Sequence, residues 1–66
     1  MKRKPVKYEV KYLGDDRMDI RKNEIYDCIA ELYGDEKTDK PFHLSVIDRS
    51  GDSCIYPFSD FRKVSE

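Results

Sequence analysis

Apolar and charged residues alternate strictly near the start of the chain. Between positions 6 and 12 every second residue is apolar, and this period-two pattern is typical of a strand with one buried face. The apolar positions are Val6, Tyr8, Val10 and Tyr12, and the charged ones are Lys7, Glu9 and Lys11. A Gly-Asp-Asp turn sequence follows at 14–16. We therefore predict a first strand over residues 6–13.

The next three segments are less regular. Residues 17–24 are mostly charged, and their two apolar residues, Met18 and Ile20, are expected to point inward from a solvated excursion. Residues 25–33 fit both a strand alternation and a helical stripe, but their aromatic and β-branched content favours a strand. Residues 34–40 contain no apolar side chain, so they predict a loop.

The last third of the chain predicts a hairpin. A strand over residues 42–47 is expected to bury Phe42, Leu44 and Val46, and a turn centred on Ser50 and Gly51 leads into a second run at 54–56. Glycine in such a turn supplies a positive φ.

A break and a short final strand follow the hairpin. Pro57 cannot donate a backbone hydrogen bond, so it is expected to end the preceding strand. Residues 59–61 predict a single helical turn that Ser59 can cap, and residues 61–64 predict the last strand. The whole pattern predicts an all-β fold, a five-stranded small barrel with a one-turn helix before the last strand.

Size and composition limit how such a fold can be stabilised. The 66 residues allow one domain, which we place over residues 6–66 after a flexible basic tail at 1–5. Charged residues (41%) outnumber hydrophobic ones (38%), yet the aromatic residues fall inside the periodic segments and predict a packed core. The chain has no apolar run long enough to span a membrane, so we expect a cytoplasmic protein with Cys28 and Cys54 reduced.

The order of these elements resembles the SH3 fold. In that family a first strand with an aromatic end is followed by a long loop and a diverging turn, a distal hairpin, a proline, a one-turn helix and a last strand. Residues 8–14 match the first strand, residues 18–25 the diverging turn, and residues 26–32 the strand that follows it. Residues 42–56 match the distal hairpin, and residues 57–64 match the proline, the one-turn helix and the last strand. The chain looks like the SH3-like barrels of many short bacterial and phage proteins without an assigned function.

The resemblance also implies a surface that binds another protein. Tyr12 matches the first tyrosine of the family's peptide site, Gly14 replaces the second, and Phe42 or His43 stands where the family has tryptophan. Pro57 matches the family's proline, and Phe61 replaces a tyrosine. The resemblance therefore implies a non-enzymatic protein-interaction module, a monomer or weak homodimer, with these candidate contact residues: Tyr12, Asp15, Asp16, Asp19, Phe42, Phe58 and Phe61.

Charge patterning leaves two alternatives open. Residues 1–11 carry five cations against Glu9, whereas residues 27–39 carry five acids against one lysine. The basic segment favours a nucleic-acid-associated protein that contacts phosphate through Lys2, Arg3, Lys4, Lys7 and Lys11. The acidic loops favour an inhibitor, encoded by a phage or mobile element, that mimics nucleic acid toward a host enzyme.

Catalytic and metal chemistry are not predicted. His43 is the only side chain suited to proton transfer near neutral pH, and no nucleophile or orienting group stands at motif spacing from it. Cys28, Cys54 and His43 lack the paired spacing of zinc ligands, and the aspartates of residues 48–52 lack the later acid of a calcium loop. We expect neither a metal nor a cofactor.

Overall fold

Five antiparallel strands form one sheet that curls into a half-barrel, in the order β4-β3-β2-β1-β5. The computed structural model describes residues 2–34 and 39–64. The strands are β1 (Lys2–Tyr12), β2 (Ile25–Tyr33), β3 (His43–Ile47), β4 (Ser53–Pro57) and β5 (Phe61–Lys63), with a 3-10 turn at Phe58–Asp60. The predicted all-β class and the five strands are confirmed, as is the strand assignment of residues 25–33.

The first strand is longer than predicted. It begins at Lys2 rather than Val6, and residues 2–5, which were predicted to be a flexible tail, pair with β2 from Lys2 opposite Tyr33 to Pro5 opposite Ala30. The register shifts between Pro5 and Tyr8, and a proline is tolerated beside such an irregularity. The period-two pattern could not show this extension, because Lys2 to Lys4 have no apolar residue to alternate with.

The hydrophobic core lies against the concave face of the sheet. Its largest fully buried side chains are Tyr12, Ile20, Leu44, Val10, Val46 and Cys28. The ring of Tyr12 lies 5.4 Å from that of Phe61 and 6.3 Å from that of Tyr56, measured between centroids. Both contacts are tilted, a favourable geometry for aromatic pairs.

The loop over residues 13–24 is anchored to this core by one residue instead of two. Ile20 is completely buried, as predicted, whereas Met18 is 88% exposed. The loop also bonds the β3–β4 turn, because the Arg49 N–H donates to the Asp19 carbonyl at 2.8 Å. Burying Met18 as well would require the exposed loop tip to fold back onto the sheet.

The turn between β3 and β4 is organised by the carboxylate of Asp48. It accepts hydrogen bonds from the Ser50 N–H (2.9 Å), the Ser50 hydroxyl (2.6 Å) and the Asp52 N–H (3.2 Å). The hydrogen bond from Ser50 is the main reason that the pKa of Asp48 lies below its ordinary value. Gly51 has a φ of 91°, so this turn uses the positive φ that the sequence predicted.

The segment between β4 and β5 differs in detail from the prediction. Pro57 is the last residue of β4 and lies opposite His43, which an edge strand such as β4 tolerates. The 3-10 turn begins at Phe58, with Pro57 at its N-cap and no capping side-chain bond, so Ser59 is inside the turn and does not cap it. The helical turn before the last strand is present, one residue earlier than predicted.

Candidate functional site

Phe42 is an exposed aromatic residue that the backbone holds in place. It precedes β3 and is 53% exposed, contrary to the prediction that it faces the core. Its N–H donates to the Leu32 carbonyl at 2.9 Å, and its carbonyl accepts the Phe58 N–H at 2.8 Å. The ring lies so close to Gly34 that a Cβ at that position would collide with it.

Three further apolar residues lie close to Phe42 along the backbone, through the bonds that the 3-10 turn makes with Phe42 and with Leu13. Pro57 is exposed and Phe58 is partly buried. The 3-10 turn then reaches Leu13, whose N–H donates to the Asp60 carbonyl at 2.7 Å and whose side chain is 40% exposed. We call Leu13, Phe42, Pro57 and Phe58 together the Phe42 surface.

Two of the predicted contact residues lie beneath this surface. Tyr12 is completely buried and Phe61 is 8% exposed, so neither offers an appreciable area to a partner. The Tyr12 hydroxyl donates to the Asp15 carbonyl at 2.7 Å and accepts a hydrogen bond from Arg17 Nε at 3.3 Å. Tyr12 therefore positions the start of the 13–24 loop. The inward face of β1 continues to its last residue, which is why Tyr12 enters the core.

The three loop aspartates do not share one location. Asp15 and Asp16 are exposed beside Leu13, and the Asp16 carboxylate accepts the Lys22 N–H at 2.7 Å. Asp19 is partly buried, and its backbone bonds the β3–β4 turn through Arg49. The structure thus places Asp15 and Asp16 beside Leu13 and joins Phe58 to Phe42, whereas Asp19 lies against the β3–β4 turn.

A second candidate surface combines strands β1 and β5. All five cations of the nucleic-acid hypothesis, Lys2, Arg3, Lys4, Lys7 and Lys11, lie on β1. β5 adds Arg62, opposite Lys11, and Lys63, whose ammonium lies 4.6 Å from the centroid of the Tyr8 ring. We call these two strands the basic edge. These two strands contain seven cations and one acid, Glu9. No local pattern in the sequence indicates that the distant cations of β5 join those of β1.

A buried carboxylate lies between the basic edge and the core. Glu31 is 8% exposed and accepts hydrogen bonds from the hydroxyls of Tyr8 (2.5 Å) and Tyr33 (2.8 Å). Burial acts to raise the pKa of Glu31, but the two hydroxyls and the charges of Lys4 and Lys63 outweigh it and lower the pKa below its ordinary value. Burial and the bond to Glu31 raise the pKa of Tyr8 far above its ordinary value.

Glu31 is expected to make stability depend on acidic pH. A carboxyl group with a lowered pKa in the folded state stabilises the fold above its unfolded pKa, and this contribution disappears as the pH falls through the folded value. Urea unfolding from pH 7 to pH 3 should therefore show the free-energy gap between wild type and Glu31→Gln shrinking below the ordinary glutamate pKa of 4.5. Glu9→Gln, which changes an exposed carboxylate of β1, is the control. A gap that stays constant over this pH range would contradict the prediction.

The remaining candidate groups are scattered. His43 is exposed opposite Pro57, and Cys28 and Cys54 are free thiols, the first of them buried. Burial raises the pKa of the Cys28 thiol. Within residues 2–34 and 39–64, no three metal-ligating side chains gather around a common point. In the same ranges no helix has the length and hydropathy to cross a membrane.

No family model, no curated protein and no solved structure matches this chain. Its function is therefore inferred from its own surfaces.

Proposed function

We propose that the chain is a non-enzymatic protein-interaction module with an SH3-like fold. The fold part of the proposal is supported by the five antiparallel strands of one sheet and by the 3-10 turn between β4 and β5. These are the elements that the resemblance to the SH3 family implies. Because one fold serves many functions, the Phe42 surface is the observation that carries the functional part.

The Phe42 surface is suited to binding because it is both apolar and ordered. A phenylalanine ring is among the side chains that bury the most apolar area, and aromatic residues are enriched at protein interfaces. Phe42 is held by two backbone bonds of its own, from its N–H to the Leu32 carbonyl and from the Phe58 N–H to its carbonyl, and Gly34 lies against its ring. Because Phe42 is already held in place, binding a partner would cost little conformational entropy at this residue.

The charges beside this surface define the partner further. Asp15 and Asp16 are exposed next to Leu13, and Asp60 lies in the turn that joins Phe58 to β5. Carboxylates at the rim of an apolar patch speed up the approach of cationic partners and orient them. The partner segment is therefore expected to combine an apolar residue that covers Phe42 with lysine or arginine near Asp15 and Asp16.

Phe42→Ala is expected to weaken partner binding without unfolding the domain. Truncating an aromatic residue at the centre of an interface typically costs about 2 kcal/mol or more, which corresponds to roughly a thirtyfold loss of affinity. The ring is more than half exposed, so its removal should change the free energy of unfolding much less than removal of a core residue. Partners are captured from nuclease-treated host lysate with wild type and variant, and the affinity of each captured protein is then titrated.

Ile55→Ala is the matched control, because Ile55 is 59% exposed on β4 and outside the Phe42 surface. The control should bind as wild type does. The proposal fails if every partner binds Phe42→Ala as tightly as wild type, or if Ile55→Ala loses the same partners to the same extent. Urea unfolding of all three proteins verifies that they are compared in the folded state.

A further inference from the structure

The first strand has a backbone edge that is largely unpaired in the described part of the chain. β5 pairs with β1 only at Val10, Lys11 and Tyr12. One more bond, from the Val64 N–H to the Glu9 carbonyl at 3.1 Å, extends this contact. Before Glu9, β1 pairs with β2 alone among residues 2–34 and 39–64, so none of these residues pairs with the side of residues 2–8 that faces away from β2. Open strand edges are templates for the addition of another strand.

The charges on this open edge select what can pair with it. Lys2, Arg3, Lys4 and Lys7 are all exposed, and residues 2–8 include no acid. A second copy of the chain would bring its own four cations against these four, and like charges placed opposite one another destabilise a strand pair. The cations thus oppose pairing between copies, which is how natural sheets protect exposed edges.

We propose that the open edge of β1 binds an extended acidic segment of a partner protein as an added strand. The backbone of the segment would bond the free N–H and C=O groups of β1, and its carboxylates would lie opposite the lysine and arginine side chains. This site is separate from the Phe42 surface and does not depend on the function proposed for that surface.

The arrangement of the cations favours a strand over a nucleic acid. Successive side chains of a strand point to opposite faces, so Lys2 and Lys4 share the face of their partners Tyr33 and Glu31, whereas Arg3 points to the other. A phosphate backbone lying on one face would meet only part of this charge. An added strand lies in the plane of the sheet, where its alternating side chains reach the cations of both faces.

The probe is a ten-residue peptide that alternates glutamate with valine or threonine. Fluorescence anisotropy measures its binding to the full chain, and NMR amide exchange reports on β1. We expect saturable binding below 1 mM peptide with slowed exchange in residues 2–8, and at least a tenfold loss when alternate amides of the peptide are N-methylated. A peptide with lysine in place of glutamate should not bind. Absence of binding by the acidic peptide at 1 mM, or equal binding by its N-methylated form, overturns the proposal.

Four further experiments locate and identify the interaction. Lys7→Glu is expected to weaken binding about fivefold, because it places a like charge beside the acidic peptide. Lys22→Glu makes the same charge change at an exposed position of the 13–24 loop and should change affinity less than twofold. Phe42→Ala should leave affinity unchanged. A single-stranded oligothymidylate of equal charge should bind more weakly than the peptide, and tighter oligonucleotide binding would assign the edge to nucleic acid instead.

Discussion

Tyr12→Ala is expected to leave the domain largely unfolded at 25 °C. The side chain is completely buried and its ring contacts those of Phe61 and Tyr56. Replacing a buried aromatic residue by alanine typically costs about 3–5 kcal/mol. The single core of a domain this small supplies only about 3–5 kcal/mol of net stability, so the loss is comparable to the total. Far-ultraviolet circular dichroism and urea titration measure the result.

Tyr12→Phe distinguishes the contribution of the Tyr12 ring to stability from that of its hydroxyl. This variant keeps the aromatic contacts but removes the donor to the Asp15 carbonyl and the acceptor for Arg17 Nε. We expect it to stay folded and to lose about 1–2 kcal/mol, the usual effect of deleting one side of a hydrogen bond. A Tyr12→Ala protein that unfolds cooperatively at the wild-type urea concentration would show that this ring is not central to the core.

The strand pattern was predictable where apolar and polar residues contrast. Alternation located the inward face of β1 from Val6 to Tyr12, and β-branched and aromatic content identified β2. The turn at Ser50 and Gly51 was also predictable, since Gly51 adopts a positive φ of 91°. In each case a local physical preference agreed with the final structure.

Features that depend on distant neighbours were not predictable from local pattern. Lys2 to Pro5 carry no alternation of their own and extend β1 because β2 is long enough to pair with them. Tyr12 and Phe61 were expected on a binding surface, yet the covering loop and the curl of the sheet place both in the core. Arg62 joins the basic edge only because β5 pairs with β1.

The two candidate surfaces differ in the kind of interaction that each can make. The Phe42 surface offers apolar side chains beside carboxylates, whereas the basic edge offers unpaired backbone beside cations. A partner suited to one is poorly suited to the other, because the charge it needs has the opposite sign. The two surfaces could therefore hold two different segments at once, and variants of each can be tested separately.

The 13–24 loop determines the shape of the end of the core where the Phe42 surface begins. Tyr12 is covered by this loop, and Leu13 is its first residue. The contacts that hold the loop include the bond from the Tyr12 hydroxyl to Asp15, the buried Ile20, and the bond from the Arg49 N–H to Asp19. Of these, Ile20 is the one that removes a large apolar area from water.

Ile20→Ala is expected to destabilise the domain by about 2–5 kcal/mol, the range for truncating a fully buried isoleucine or leucine. Met18→Ala, two residues away in the same loop, removes an 88% exposed side chain and should change stability by less than about 0.5 kcal/mol. These two substitutions test two apolar residues that the sequence alone does not distinguish. Urea unfolding measures both, and amide exchange at Arg49 reports whether the loop has left the β3–β4 turn. If both substitutions lowered the free energy of unfolding equally, Ile20 would not be the residue that anchors the loop. The larger loss expected for Ile20→Ala rests entirely on the greater burial of Ile20.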